Sequence, residues 1–301
     1  RTGRSDYGGF YTEQFLDCRL PKEHFEKRDI HYICYHYFLN DEEYVDDLGQ
    51  SMPLVKFYEA MRQGASTKTT QINVDEFVKY FTPFLEQGLD ILHVELSSGL
   101  SGVISSANIA KNTLLEKFPD RKLYIVDSLA ASGGLGLLME TLADLRDEGK
   151  DLDELYSWIE EYKLNMHHWF FVSDLTYLVR GGRVSKVSGW VGNMLNIHPL
   201  LNIDMEGRLI PRFKVRGKKK VINQTLNQMT EHAENGLDYS KKCFISHADA
   251  LEDAQKLAQL IEEKFPKLNG KVQLSNIGTT IGSHTGPGTV NLFFWGNKRT
   301  D

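Results

Sequence analysis

The chain has 301 residues, 41% of them hydrophobic and 25% charged, with a formal net charge of −6. That is the composition of a soluble globular protein, with enough chain for one large or two ordinary domains. The acidic balance argues against a dedicated nucleic-acid or anionic-membrane binder, and no run reaches the roughly 18 apolar residues of a membrane span.

The first half alternates strand and helix patterns. Ile30–Phe38 reads as a strand, and Pro53–Arg62 and Val74–Gln87 read as helices. Ile91–Leu96 is a buried-looking strand that stops at Ser97-Ser98-Gly99-Leu100-Ser101-Gly102. From Val103 an amphipathic pattern (Ile104, Ala107, Ala110, Leu114, Leu115) predicts a helix over 102–118. A strand, a Ser/Gly turn and a helix in that order place hydroxyls and unpaired backbone N–H groups at a helix N-terminus. Such a site suits an anion. Without a GxxxxGK[ST] run the expected guest is a small anion such as a carboxylate. Lys122–Asp127 is the next strand and Gly134–Glu148 the next helix, followed by a helix over Asp151–Met166 with an acidic first turn.

After His168 the pattern changes. Trp169–Val172, Leu200–Ile203, Leu209–Val215, Lys242–His247 and Val272–Ser275 read as strands. Val221–Glu234 and Ala250–Phe265 read as helices among them, and Met205-Glu206-Gly207-Arg208 reads as a hairpin turn. The expected fold class is α/β in two domains: an N-terminal parallel-sheet α/β domain over 1–166 and a C-terminal α+β domain over 167–301.

Three segments are dense in hydroxyls and glycines: Thr67-Lys68-Thr69-Thr70-Gln71, the Ser97–Gly102 turn, and Gly278–Gly288. Each alone fits ordinary capping and turn chemistry; together they point to a shared site. Of ten histidines only His284 lies inside such a segment, read as a loop, where an imidazole could meet a carboxylate and titrate near neutrality. Tyr177–Lys186 sets Arg180 and Arg183 around Gly181-Gly182, and both arginines are expected to face outward. The basic run Arg212–Lys220 reads as a solvated face or a docking patch for an acidic partner.

Rival motifs are weaker. His93-Val94-Glu95 has no PCxxC to complete a zinc deaminase and reads as strand alternation. Gly99–Val103 ends a near-GxSxG with Val, and Ser132–Gly136 lacks dinucleotide spacing. His167-His168 has no partner carboxylates at ligand spacing. Cys18, Cys34 and Cys243 are far apart without a CxxC, which suits a reducing cytosol and offers no zinc site. The first residues lack the apolar core of a signal peptide, so a cytoplasmic location is expected.

Ser97–Gly102, Val126-Asp127-Ser128, Leu178–Lys186, His198–Leu201 and Ile281–Gly288, in that order, resemble the DegV family, from about Leu20 to Trp295. The family consists of bacterial fatty-acid-binding proteins, the carrier subunits of the fatty acid kinase system. The resemblance implies one long-chain fatty acid between two domains, its chain in an apolar tunnel and its carboxylate at a Ser/Thr/His site. Carried over by motif, that site comprises Thr69, Thr70, Ser98, Ser283 and His284. Arg180 would meet the kinase, which holds the ATP chemistry, so no cofactor and no metal are expected in the carrier. The start departs from the family pattern, with Phe15–Arg19 standing before Leu20-Pro21 where a Thr-Asp-Ser strand end is usual. The alternative is a serine esterase or acyltransferase using Ser98 or Ser101 with His284, for which Asp127 is the candidate orienting carboxylate.

Overall fold

The computed structural model describes residues 10–15, 22–173, 175–184 and 196–301; for 10–15 and Lys22 it describes the backbone alone. Leu16–Pro21, with Cys18, and the Ser185-Lys186 end of the arginine motif lie outside the described residues.

A parallel sheet carries the N-terminal half, in the order β2 (Ile30–Ile33), β1 (Phe10–Phe15), β6 (Asp90–Glu95), β7 (Leu123–Asp127). Helices α3 (Val74–Glu86) and α4 (Val103–Lys117) pack beside it. Strand β6 is buried at every position from Ile91 to Glu95, as a parallel strand covered on both faces should be. Asn73 caps α3 with a capping box closed by Glu76, so that helix starts where its sequence says.

The C-terminal half is a six-stranded mixed sheet. Its order is β10 (Leu209–Arg216), β9 (Ile197–Ile203), β8 (Met166–Phe171), β13 (Val290–Trp295), β11 (Phe244–His247), β12 (Gln273–Asn276). The predicted hairpin turn joins β9 to β10, with Asp204 accepting from the backbone N–H groups of Glu206 and Arg208. Helices α8 (Lys218–His232) and α9 (Leu251–Lys264) pack with this sheet. Helix α5 (Gly133–Asp147) lies between the two sheets, touching β1 on one side and β8, β11 and β13 on the other. Its residues from Gly133 to Glu140 are all buried, as a helix with apolar neighbours all round requires.

The expected strand Ile30–Phe38 is two strands in two sheets. Burial falls at Ile30 and Ile33, then alternates through Tyr35, Tyr37 and Leu39, so the phase slips once. Beyond the slip, β3 (His36–Leu39) joins a three-stranded antiparallel sheet with β4 (Glu42–Val45) and β5 (Thr67–Thr70). This sheet and α2 (Leu54–Arg62) share a small core with the far half of the chain, in which Tyr37, Phe57, Tyr58 and Met61 pack with Ala248 and Ile277. The Tyr58 hydroxyl donates to the Ile277 carbonyl at 2.9 Å, and Arg62 pairs with Asp249. Residues 36–70, within the first half by number, therefore build part of their core with the second.

Four elements went unread in the sequence and matter for the site: β5, α7 (Thr176–Arg180), α10 (Thr279–Thr285) and β13. The segment expected as a loop around His284 is thus a helix.

Candidate functional site

A cavity of about 390 Å³ opens where the parallel sheet, α10, β5 and the six-stranded sheet converge. Its apolar walls include Leu96, Leu100, Phe170, Leu178, Ile203, Leu209, Ile281 and Phe293. The size, and a lining in which apolar walls meet clustered polar side chains, are those of a small-molecule site. Polar side chains enter from two sides.

One side is the turn before α4. Ser101 and Gly102 line the cavity, which places the N-terminus of that 15-residue helix against it. The Ser101 Oγ accepts the Val103 N–H at 3.3 Å, which leaves its own O–H to donate. Ser98 does not line the cavity: it is exposed, and its backbone N–H donates to Asp127 Oδ1. The hydroxyl this turn offers the cavity is therefore Ser101, three residues beyond the one expected. Ser97 is buried and donates to the Gly207 carbonyl at 2.8 Å, which ties the turn to the β9–β10 hairpin.

The other side is assembled from α7, α10 and β5. His284 lies 2.8 Å through Nε2 from Thr69 Oγ1. Its Nδ1 is sealed and has no partner among the described residues. With the proton on Nε2 the interior holds only a bare lone pair; the other tautomer would strand an N–H. Nε2–H then donates to Thr69, whose own hydrogen is free for a ligand. Burial, with the Arg183 charge adding to it, pushes the His284 pKa down to about 4. The imidazole is neutral at pH 7, which corrects the expectation that it titrates near neutrality.

Gly181 explains the seal. A Cβ there would lie 2.2 Å from His284 Nδ1, so α7 can close on the imidazole only with glycine at this position. Gly182 has φ +72°, the left-handed turn that sends the chain away from α7. The two arginines of the motif then part company. Arg180 is exposed, its guanidinium 5.5 Å from the Tyr177 ring centroid. Arg183 is half-buried and lines the cavity, with Nε donating to Leu100 O and Nη1 to Gly181 O. The expectation that both face outward holds for Arg180 alone.

Thr69 and Thr70 both line the cavity, Thr69 half-buried and Thr70 exposed at its mouth. Ser283 is buried but spends its hydroxyl on the Thr279 carbonyl one turn back, at 2.7 Å, and does not line the cavity. In its place α10 presents Thr280, whose Oγ1 has no partner among the described residues. Of the expected carboxylate set, the structure thus brings together Thr69, Thr70 and His284; Arg183, Ser101 and Thr280 join them, while Ser98 and Ser283 stand outside. Arg183 and Ser101 lay within motifs already singled out, and only the direction in which they point was illegible.

The hydrolase alternative needs a serine on His284 and a carboxylate behind it. His284 instead pairs with a threonine, and Asp127 accepts from the Ser98 and Leu129 backbone N–H groups. His93 and Glu95, two apart on β6, form a wholly buried pair at 3.0 Å, with the Tyr35 hydroxyl donating to the same carboxylate. Among the described residues no group of three or more His, Cys, Asp or Glu could hold a metal ion. Nor is any of their helices long and apolar enough to cross a membrane.

The DegV family model, described as one of uncharacterised proteins, matches residues 17–297. The chain belongs to the DegV family. A DegV domain-containing protein of Clostridium perfringens is 38% identical over 289 residues, 96% of this chain and 97% of that one. A fatty acid-binding protein of Thermotoga maritima is 33% identical over 278 residues, covering 91% and 93% of the two chains. A crystal structure of a DegV lipid-binding protein from Thermotoga maritima has a TM-score of 0.81 at 29% identity, covering 97% of this chain and 99% of its own. The two-domain α/β arrangement is shared with these DegV structures.

Proposed function

We propose that this protein carries one long-chain fatty acid in the cavity and presents its carboxylate to a fatty acid kinase. The observation that carries the reading is the meeting of apolar lining with two polar walls, in one of which Thr69 is oriented by a neutral His284 beside the Arg183 cation. The carboxylate accepts from Thr69, Thr70 and Ser101 and lies near the α4 N-terminus and Arg183, so its charge is met on several sides. Burying about fifteen methylenes is worth roughly 12 kcal/mol before ordering costs, at ~0.8 kcal/mol each. The chain therefore supplies affinity and the polar walls supply orientation. Relatives named as fatty-acid-binding and lipid-binding proteins support the ligand class.

The kinase role rests on the resemblance to the DegV carriers and on the position of Arg180. Exposed at the end of α7, it is held by Gly181 to the helix that seals His284, next to the carboxylate but outside the cavity. In this reading the carrier is cytoplasmic, needs no cofactor beyond its ligand, and performs no acyl-phosphate chemistry itself. Two variants test the division of labour. Thr69→Val should weaken binding of a fluorescent fatty acid about tenfold, one charge-assisted hydrogen bond. Arg180→Ala should leave that affinity unchanged and cut acyl-phosphate formation by a cognate kinase about thirtyfold at subsaturating carrier. Equal effects of both variants on ligand affinity would overturn the assignment.

A further inference from the structure

The cavity has a third polar feature, on the floor formed by the six-stranded sheet. Asn291 on β13 lines the cavity and is only 6% exposed. Its side chain makes no hydrogen bond among the described residues, and its Oδ1 is sealed from solvent without a partner. Across the sheet it stands between Ser246 of β11 and Phe170 of β8. Ser246 Oγ in turn lies 3.3 Å from Ser132 Oγ at the start of α5. Ser132, Phe170 and Phe293 line the same cavity. The floor thus carries the Asn291 carboxamide and the Ser132 hydroxyl beside Phe170 and Phe293, with Ser246 paired to Ser132 but outside the lining.

A hydrocarbon chain gives such a carboxamide nothing to bond, and an unpaired buried amide is costly. The other face of β13 shows what an apolar floor would use, with Val290 and Leu292 fully buried. We propose that the cavity selects a fatty acid with a hydroxyl group on its chain, and that Asn291 recognises that hydroxyl. With Oδ1 sealed, the amide group the cavity can reach is Nδ2, and a ligand hydroxyl accepts from it while keeping its own O–H to donate. Asn291 is fixed on β13, so the hydroxyl must sit at a definite place on the chain. Sites built to hydrogen-bond a substrate hydroxyl discriminate strongly against the analogue without it, because their own polar groups are then left unpaired. The inference rests on the fatty-acid reading above and narrows it.

The test is displacement of a fluorescent fatty acid by stearic acid and by hydroxystearic acids with the hydroxyl at successive positions. One positional isomer is expected to bind the wild-type protein about tenfold more tightly than stearic acid. Asn291→Leu should erase that preference while keeping or improving stearic acid binding. The proposal is overturned if every isomer binds the wild type more weakly than stearic acid, or if the preference survives in Asn291→Leu. It is also overturned if Asn291→Leu weakens stearic acid and the isomers alike, since Asn291 would then be a carboxylate contact. Should Asn291→Leu fail to fold, the wild-type isomer series decides alone. Stearic acid and every isomer failing to bind would sink the fatty-acid reading itself, whereas stearic acid binding with no isomer preferred would sink only this inference.

Discussion

The two polar walls of the cavity are built in opposite ways. The α4 wall is local: one strand, one turn and one helix within Asp90–Lys117 bring Ser101 and the helix N-terminus to the cavity. The His284 wall is assembled from three segments far apart in sequence, β5, α7 and α10, and exists only when they close on one another. A local wall tolerates change at single residues because backbone groups do much of its work. An assembled wall fails when any contact between its parts fails.

The largest expected effect follows from that difference. Gly181→Val would drive a side chain into the His284 imidazole, whose Nδ1 lies 2.2 Å from where a Cβ would be. Either α7 or the imidazole must move, and Thr69 loses its orienting partner. Fatty-acid affinity should fall about a hundredfold, near 3 kcal/mol, in a protein that still folds. The neighbouring Gly182→Ala, strained by its φ of +72°, should cost about 1 kcal/mol of stability and leave affinity unchanged. Similar affinities for the two variants in a titration would show that the close approach of Gly181 is not what holds this wall.

A smaller effect comes from pH. His284 is held down to about 4 from an ordinary 6.5, by burial first and Arg183 second. Between those values the unfolded chain takes up a proton that the folded one refuses. The stabilisation from keeping the imidazole neutral is therefore complete above pH 6.5 and is lost as the pH falls towards 4. His167, also lowered to about 4 by burial, adds to the same acid limb. Denaturant unfolding of His284→Gln at pH 7 and pH 4.5 should show the acid loss reduced by roughly 2 kcal/mol relative to wild type. An unaltered acid loss would mean that the imidazole is not buried neutral.

On the local wall the effects should be slight. Ser101→Ala removes one donor from a site that keeps the helix N-terminus, so affinity should fall about threefold to tenfold. Ser98→Ala, at an exposed hydroxyl outside the cavity, should change nothing. The reverse order in a binding assay would restore Ser98 to the site and displace Ser101.

The same contrast explains what could be read in the sequence. The β6–turn–α4 unit was legible because its strand, turn and helix signals are contiguous, and the long helices because their caps and periodicity are local. β5 is Thr-Lys-Thr-Thr, a polar run whose only strand signal is alternation, and its partner β3 becomes a separate strand only through the phase slip near Ile33. Helix α10 hid behind the glycines and hydroxyls of Gly278–Gly288, which argue for a loop until packing against β5 and α7 pays for helix there. Strand β13 is six apolar or amide residues buried on both faces, too short for periodicity to separate strand from helix. The motif around Gly181-Gly182 announced a tight turn, yet only the fold could say that Arg180 leaves the cavity and Arg183 enters it. The resemblance named segments that line the cavity; that Ser101 rather than Ser98 and Thr280 rather than Ser283 do the lining is set by the turn before α4 and by the helix geometry of α10.

The central claim is that this cavity holds a fatty acid by its carboxylate. Native mass spectrometry of the purified protein, followed by extraction and identification of whatever it carries, tests that most directly. A single bound long-chain fatty acid is expected in the wild type, and much less of it in Gly181→Val. Bare polypeptide in both, with no uptake after incubation with palmitic, oleic or hydroxystearic acid, would contradict the account.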